Sequence, residues 1–165
     1  MCWSCADADV EWADAVIFGT PTRFGNAAAE LKAFIDSLGG LWFQGKLNGK
    51  VGSAFTSTAS PHGGNETTIT SLYNPLAHLG FIIVPTGYAD PAAFMAGTPY
   101  GASHVVGQNA SPPNEHEAAV ARHQGRRVAQ VAKALKSSEV ASGDRALDCF
   151  SERGMDVDGV ANHGG

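Results

Sequence analysis

Two segments of the chain combine glycines, hydroxyl side chains and the start of a predicted helix, a combination typical of ligand-binding loops. Residues 19–26 read Gly-Thr-Pro-Thr-Arg-Phe-Gly-Asn, and residues 55–65 read Phe-Thr-Ser-Thr-Ala-Ser-Pro-His-Gly-Gly-Asn. A helix N-terminus offers unpaired N–H groups and positive potential to a ligand. In the first segment, Arg23 could stabilise negative charge and Phe24 could cover one face of a planar, electron-rich ring. Either segment taken alone could also be an ordinary turn.

The other side chains with catalytic potential form no comparable pattern. His78 lies at the end of a predicted helix, where a histidine is more often a partner of the helix dipole than a catalyst. The histidines show no metal-ligand spacing, so no metal is predicted. A serine hydrolase built on Ser57 is a weak alternative, because no nucleophile motif is present. Cys2 and Cys5 are spaced as C-x-x-C, but we interpret them as part of a loose terminus.

The apolar pattern places both glycine-rich segments in an α/β fold. Short apolar runs indicate strands, and apolar residues three and four apart indicate helices. Strands are predicted at residues 15–19, 51–57 and 81–84, and helices at 26–40 with Asn26 as N-cap, at 65–78 with a kink at Pro75, and at 114–136. This alternation predicts a parallel sheet covered by helices. Both segments then lie at the edge where the strands end, which favours one shared ligand site.

Two further segments do not fit the alternation. Residues 85–113 form a long stretch rich in Gly and Pro, and loops of that length are usually functional or disordered. The tail after Lys136 has one weak amphipathic turn followed by Gly-rich sequence. We therefore predict a partial domain over residues 1–136 and a mostly disordered tail over residues 137–165.

Composition narrows the possible classes of function. The 165 residues are 44% hydrophobic, enough for the core of one domain, and only 16% are charged, which fits surfaces buried against other copies. A formal charge of -5 gives little electrostatic support for binding nucleic acid or anionic membranes. Neither a membrane-spanning apolar run nor a signal peptide is present, and three cysteines fit a reducing compartment, so a cytoplasmic location is predicted.

Eight short motifs occur in order over residues 11–135. They are residues 17–26, Gly39-Gly-Leu-Trp42, Gly49-Lys50, the loop from Ser57 to Gly64, Leu76-Ala-His78, Val84-Pro85, Gly87-Tyr88 and Gly97-Thr-Pro-Tyr-Gly101. These motifs resemble those of the tryptophan-repressor-binding-protein type (WrbA-type) NAD(P)H:quinone oxidoreductases, which are FMN-dependent enzymes with a flavodoxin-like fold.

The resemblance implies roles for individual residues. One group would lie along the isoalloxazine ring of FMN: Pro21, Thr22, Arg23, Phe24, Gly25 and Asn26. A second group would wrap the edge of the ring and the ribityl chain: Ser57, Thr58, Ala59, Ser60, Pro61, His62 and Gly63. His78 would be a catalytic residue near the reactive face, reached through a homo-tetramer or dimer. Trp42, Phe24 and Tyr100 would border the shared cavity where NAD(P)H and a quinone bind in turn.

The chain also departs from the family pattern. Members begin with a strand, a loop that holds the FMN phosphate, a helix and a second strand, and this chain shows no counterpart. We therefore expect a flavodoxin-like sheet with helices on both faces that lacks the first strand-helix-strand, and FMN binding weakened by orders of magnitude. The segment from Ala59 to His62 is bulkier than the family version, and the tail after Lys136 matches nothing in the family.

Two functions follow from these observations. The first is an FMN-dependent NAD(P)H:quinone oxidoreductase that reduces quinones by two electrons. The alternative is a truncated, non-catalytic flavodoxin-like remnant with weak or no FMN binding.

Overall fold

The computed structural model describes residues 6–141. Cys2, Cys5 and the part of the predicted disordered tail beyond Ala141 lie outside the described residues. Contacts divide the chain into two units, residues 1–132 and 133–165. Of the second unit the structure describes only residues 133–141, which are helical. Helical structure thus continues five residues beyond the predicted helix end at Lys136.

The described elements alternate between strands and helices for most of the chain. They are α1 (Asp7–Trp12), β1 (Ala15–Arg23), β2 (Asn26–Ala27), α2 (Ala29–Ser37), α3 (Gly39–Phe43), β3 (Val51–Thr58), α4 (Asn65–His78), β4 (Ile82–Ile83), a 3₁₀ turn (Pro91–Phe94), β5 (Ser103–Val105) and α5 (Glu115–Ala141). The three predicted strands and three predicted helices are all present. The short elements α1, α3, β2 and β5 were not predicted, because each is too short to show a period in the sequence.

The sheet is mostly parallel, with strand order β2-β1-β3-β4. β1 and β3 run in parallel register from Ala15 opposite Val51 to Pro21 opposite Ser57. β2 is the antiparallel exception and pairs only with the last two residues of β1. Within residues 6–141, the rest of the outer edge of β1 has no strand partner.

The other neighbour of β3 is divided into two short strands. β4 pairs with the first two residues of β3, and β5 pairs with Thr56, Ser57 and Thr58 at its end. Both pairings are parallel, so β4 and β5 form one interrupted strand beside β3. The predicted long loop of residues 85–113 therefore contributes a strand segment and a 3₁₀ turn.

Helices cover both faces of the sheet, as predicted. Phe18 of β1 and Ala54 of β3 belong to the buried core on one face, together with the apolar sides of α2 and α4. The buried residues are Ile35 of α2, Leu38 directly after α2, and Ile69, Leu72 and Leu76 of α4. Successive strand residues point to opposite faces, and Ser53 accepts a hydrogen bond from Gln124 of α5 on the other face.

The start of α2 differs from the prediction. Asn26 was predicted to cap this helix, but it pairs with Arg23 in the β1–β2 hairpin, and Ala28 occupies the N-cap position without a side-chain cap. The N–H of Ala28 donates instead to Thr20 Oγ1 at 2.9 Å. A hydroxyl from β1 therefore fixes the chain where it enters α2. Pro75, predicted to kink α4, lies inside that helix, which runs as one element to His78.

Candidate functional site

The two glycine-rich segments lie side by side at the edge where β1 and β3 end. Pro21 stands opposite Ser57 in the parallel register, so the chain leaves both strands at the same level. The first segment turns back as the β1–β2 hairpin, and the second leads into α4. The predicted convergence of the two segments is confirmed, although the first is a hairpin and not a loop before a helix.

The tip of the hairpin consists of Phe24 and Gly25, both with positive φ. Phe24 has φ 52°, and its side chain is fully exposed. A left-handed backbone costs a non-glycine residue about 1–2 kcal/mol. An exposed aromatic ring held in such a conformation is the kind of local strain that occurs at functional sites. Arg23 beside it is also exposed, and its guanidinium donates to the carbonyl of Thr22 at 3.1 Å.

The second segment is held by its own polar contacts. Thr58 is buried, and its hydroxyl lies 2.9 Å from the Ser60 carbonyl oxygen and 3.1 Å from Asn65 Oδ1. Asn65 is the first residue of α4 and is itself buried. Of the six residues between Thr58 and Asn65, the first four, Ala59 to His62, are exposed.

The hairpin and the second loop touch at two glycines. Gly64 has φ 101°, and a Cβ atom at this position would lie 2.8 Å from the Cα of Gly25. Both the backbone conformation and the close approach therefore require glycine at position 64. The Gly63-Gly64 pair in the sequence was a sign of this contact, but its partner Gly25 could be identified only in the fold.

Two clefts border this edge. The α2–α4 cleft has a volume of about 600 Å³ and is lined by Arg23, Phe24, Asn26, Ala27, Ala29, Glu30, Lys32, Ser71, Leu72 and Pro75. The α5-side cleft has a volume of about 440 Å³ and is lined by Phe55, Thr56, Ser57, Ala102, Ser103, His104, Pro113, Glu117, Ala118 and Ala121. The hairpin therefore forms part of one cleft and the end of β3 part of the other.

Two of the predicted site residues lie where the strands begin, at the end of the sheet opposite the two loops. His78 is the last residue of α4, and a 14-residue helix separates its two ends by about 20 Å. Trp42 lies in α3, which precedes the start of β3, and its side chain is about half exposed. The N–H of Gly49 donates to the carbonyl of Gly80, which joins the turns that follow α3 and α4. A single chain therefore does not bring His78 or Trp42 to the two loops.

Tyr100 lies between the 3₁₀ turn and β5, and its ring is partly exposed. The hydroxyl of Tyr73, in the middle of α4, donates to the Tyr100 carbonyl. Burial raises the pKa of Tyr73 above its usual value, although hydrogen bonds involving Ser53 and Ala54 oppose that rise. The tyrosine thus remains a neutral donor at physiological pH.

Gln124 is a buried side chain that the sequence reasoning missed. Its Oε1 accepts from the N–H of Ala102 at 2.9 Å, and its Nε2 donates to Ser53 Oγ and the Ala54 carbonyl at 2.7 and 2.8 Å. It joins α5 to β3 and to the residue before β5. Its spacing of four from Val120 and Val128, both buried, places it on the apolar face of α5 and was the available signal.

A second missed cluster holds the start of α5. His104 of β5 lies 3.0 Å from Glu117, whose carboxylate also accepts from the N–H of Asn114 at 2.8 Å. Burial alone would raise the pKa of Glu117, but hydrogen bonds from Asn114, His104 and Val105, together with the charge of His104, lower it. The Asn-x-x-Glu spacing before an apolar run is a capping-box pattern visible in the sequence.

Residues 6–141 contain neither a metal-binding cluster nor a membrane-spanning helix. In that part of the chain, no group of three or more His, Cys, Asp or Glu side chains is placed to hold a metal ion. No helix there is both long and apolar enough to cross a membrane.

A mostly parallel sheet with helices on both faces, and with polar loops at the ends of its strands, places the chain among the doubly wound α/β proteins, which include the flavodoxin-like fold. Residues 6–94 match the family described as NADPH-dependent FMN reductase. The match covers more than half of the chain, and the chain belongs to this family.

Individual relatives agree with that assignment. Over 128 residues the chain is 50% identical to a curated protein of Chromohalobacter salexigens named NAD(P)H dehydrogenase (quinone), covering 74% of this chain and 64% of that protein. Over 134 residues it is 48% identical to a protein of the same name from Azorhizobium caulinodans, covering 78% and 67%. The chain thus spans about two thirds of the length of these relatives.

A solved structure shows the same fold. The crystal structure of the flavodoxin, WrbA-like protein from Agrobacterium tumefaciens matches with a TM-score of 0.64 and 30% identity. The match covers 78% of this chain and 71% of that chain. The flavodoxin-like fold and the resemblance inferred from the sequence motifs are both confirmed.

Proposed function

We propose that this chain binds FMN at the edge formed by the β1–β2 hairpin and the loop before α4, and acts as an NAD(P)H:quinone oxidoreductase. Membership of the FMN reductase family and the names of the two relatives support the cofactor, the electron donor and the acceptor. When bound, FMN would supply the chemistry of accepting hydride from NAD(P)H and passing two electrons to a quinone.

The observation that carries this proposal is Phe24. Its ring is fully exposed on a backbone of φ 52°, so the apolar surface brings no burial energy to the folded chain. A planar ligand stacked on that ring would remove it from water, because aromatic rings favour stacked or edge-on contacts. The neighbouring guanidinium of Arg23 is also exposed and can donate to an electron-rich edge of the same ligand.

The loop residues fit the isoalloxazine and ribityl parts of FMN. Glycines at positions 25, 63 and 64 allow the backbone to approach a ligand closely. The side chains at the tip of the second loop are exposed, and the hydroxyl of Ser60 and the imidazole of His62 are available to polar groups. We propose that residues 21–26 hold the ring and that residues 57–63 hold its edge and the ribityl chain.

A complete site in this proposal contains residues from two copies of the chain. His78 lies at the far end of α4, a helix length of about 20 Å from the loop before that helix. Trp42 lies in α3, which precedes the start of β3. Each of these residues can border only the flavin that a neighbouring copy binds. There, His78 would act on the reactive face and Trp42 would border the quinone. Partly exposed Tyr100 would border the same cavity. We therefore propose that the protein forms a homo-tetramer or dimer. We also propose that it acts in the cytoplasm without binding nucleic acid, and that residues 1–136 form a partial domain.

Reconstitution tests the proposal directly. The purified chain is mixed with FMN, passed through gel filtration, and assayed for NAD(P)H oxidation with benzoquinone. Because FMN binding is expected to be weak without the phosphate-holding loop, the column buffer also contains FMN. We expect flavin absorbance above the buffer level to co-elute with the protein and NAD(P)H consumption to require both FMN and quinone. A chain that elutes without flavin above the buffer level and does not consume NAD(P)H overturns the proposal and favours the alternative, a non-catalytic remnant.

A matched pair of arginine variants sharpens the experiment. Arg23→Ala removes the exposed guanidinium at the hairpin, and Arg126→Ala removes an equally exposed one from α5. We expect the FMN dissociation constant to rise roughly 10-fold or more in Arg23→Ala, the loss of one charge-assisted hydrogen bond. Arg126→Ala should bind FMN like the wild type.

A further inference from the structure

Thr68 is a fully buried hydroxyl that lies directly behind the two loops. It stands one turn into α4, and its side chain has no contact with solvent. Its Oγ1 lies 2.6 Å from Oγ1 of Thr22, the residue of β1 that leads into the hairpin. The backbone N–H of Thr68 donates to the Gly64 carbonyl at 3.0 Å. Thr68 therefore contacts a residue on the β1 side of the hairpin, Thr22, and the last residue of the second loop, Gly64.

One arrangement of protons satisfies both contacts of the Thr22 hydroxyl. The Thr22 hydroxyl also lies within 3.5 Å of the Gly63 carbonyl oxygen, which can only accept. Each hydroxyl has a single proton to donate. If Thr22 donates to Gly63, then Thr68 must donate to Thr22. The two hydroxyls thus form a relay from α4 through the hairpin to the second loop.

The relay and the glycine contact act at the same junction. Gly64 and Gly25 approach each other closely enough that a Cβ on Gly64 would lie 2.8 Å from Gly25 Cα. The close glycine contact limits how near the two loops can come, and the contacts of the Thr22 hydroxyl with Thr68 and Gly63 hold them at that spacing. Hydrogen bonds between hydroxyls have directional preferences that apolar packing does not provide.

We infer that Thr68 is a positioning residue for the ligand site: through Thr22 it sets the spacing between the hairpin that carries Phe24 and the loop that carries Ser60 and His62. This inference rests on the proposed function, because the positioned groups are those assigned to FMN. Thr68 itself is buried and does not touch the ligand.

The test compares three variants of α4. Thr68→Val keeps the shape of the side chain and removes the hydroxyl, whereas Thr68→Ser keeps the hydroxyl and removes a methyl group. Thr70→Val is the matched control, because the Thr70 hydroxyl donates only to carbonyls of its own helix, those of Glu66 and Thr67. FMN affinity is measured by quenching of flavin fluorescence, and apo-protein stability is measured by chemical unfolding.

We expect Thr68→Val to weaken FMN binding roughly three- to tenfold, the range that one net hydrogen bond supports. Thr68→Ser and Thr70→Val should bind FMN like the wild type. A double-mutant cycle with Thr22→Val tests the relay: Thr68→Val should weaken binding in the wild-type background and have no further effect in the Thr22→Val background. A purely structural role would lower the stability of Thr68→Val without changing FMN affinity at temperatures where the protein is folded.

The outcomes separate this inference from the proposed function. If the wild-type chain fails to bind FMN, the proposed function is overturned and the inference with it. If the wild type binds FMN and Thr68→Val binds equally well, only the inference is overturned. If Thr68→Val does not fold, Thr68→Ser decides: unchanged affinity supports the role of the hydroxyl, and weakened affinity shows that packing by the methyl group is responsible.

Discussion

His104 Nδ1 lies 3.0 Å from Glu117 Oε2, and Nε2 of the same ring lies 2.9 Å from the carbonyl oxygen of Ser111. The imidazole thus connects β5, the segment before α5 and the first turn of α5. Glu117 also completes a capping box, because its N–H donates to Asn114 Oδ1 while its carboxylate accepts from the Asn114 N–H. This cluster fixes how the long segment of residues 85–113 returns to the sheet.

Replacing Glu117 should make the free energy of unfolding depend less on pH in the acid range. The pKa of Glu117 is lowered in the folded protein, so its stabilising effect is fully present above the ordinary glutamate pKa and is lost as pH falls through the folded value. We expect Glu117→Gln to lower the free energy of unfolding by about 1–2 kcal/mol at pH 7. The difference from the wild type should shrink towards pH 3, measured by urea unfolding across pH. Glu115→Gln, an exposed change in the same turn, is the control, and an equal difference at both pH values would contradict the prediction.

Replacing Phe24 should separate stability from ligand binding. Phe24→Asn gives an Asn-Gly turn, the preferred two-residue connection for a hairpin whose tip has positive φ at both positions. We expect thermal or chemical unfolding to show a gain of about 0.5–1 kcal/mol, because the strain of the left-handed phenylalanine is relieved. FMN affinity should fall, since the stacking ring is lost. Phe43→Asn is the control: this exposed phenylalanine of α3 should give neither the gain in stability nor the loss of affinity.

Position 64 should accept glycine alone. Gly64→Ala forces a side chain onto a backbone of φ 101° and within 2.8 Å of Gly25 Cα. We expect a loss of about 2 kcal/mol or more in the free energy of unfolding, from backbone strain together with the steric clash. Gly40→Ala is the comparison, because it lies in α3 with no atom within 4 Å of the new Cβ. That variant should be as stable as the wild type or slightly more stable, and similar losses in both would refute the prediction.

Gln124 should be among the most sensitive polar residues of α5. Gln124→Ala removes three hydrogen bonds and leaves the buried N–H of Ala102 without its acceptor. We expect urea unfolding to show a loss of about 3 kcal/mol, since a buried unsatisfied group costs roughly 1–3 kcal/mol and a cavity adds to it. Gln130→Ala, exposed on the same helix, should change stability by less than about 0.5 kcal/mol. A loss below 1 kcal/mol for Gln124→Ala would show that Ala102 finds another acceptor.

The main elements of the fold were predictable because their patterns are local. The apolar run before Gly19 identified β1, and the spacing of Ile69, Leu72 and Leu76 identified the buried side of α4. The same alternation of strands and helices predicted that the two glycine-rich segments share one edge of the sheet. In each case a few neighbouring residues contain the whole signal.

The interrupted strand was not predictable in this way. Residues 103–105 are too few to show an alternating pattern, and they form β5 because Thr56, Ser57 and Thr58 of β3 offer unpaired edge groups beside them. Gln124 then accepts from the N–H just before that strand. Both facts depend on groups far apart in the chain.

The sequence by itself determined the family, the α/β layout and the identity of the two loops, since these depend on residue types and short-range spacing. Only the tertiary structure decided that Asn26 belongs to a hairpin, that Gly64 presses against Gly25, and that Thr68 reaches Thr22. It also placed His78 a helix length away from the loops. These relations follow from how the helices and strands pack, and packing joins residues that no local pattern relates.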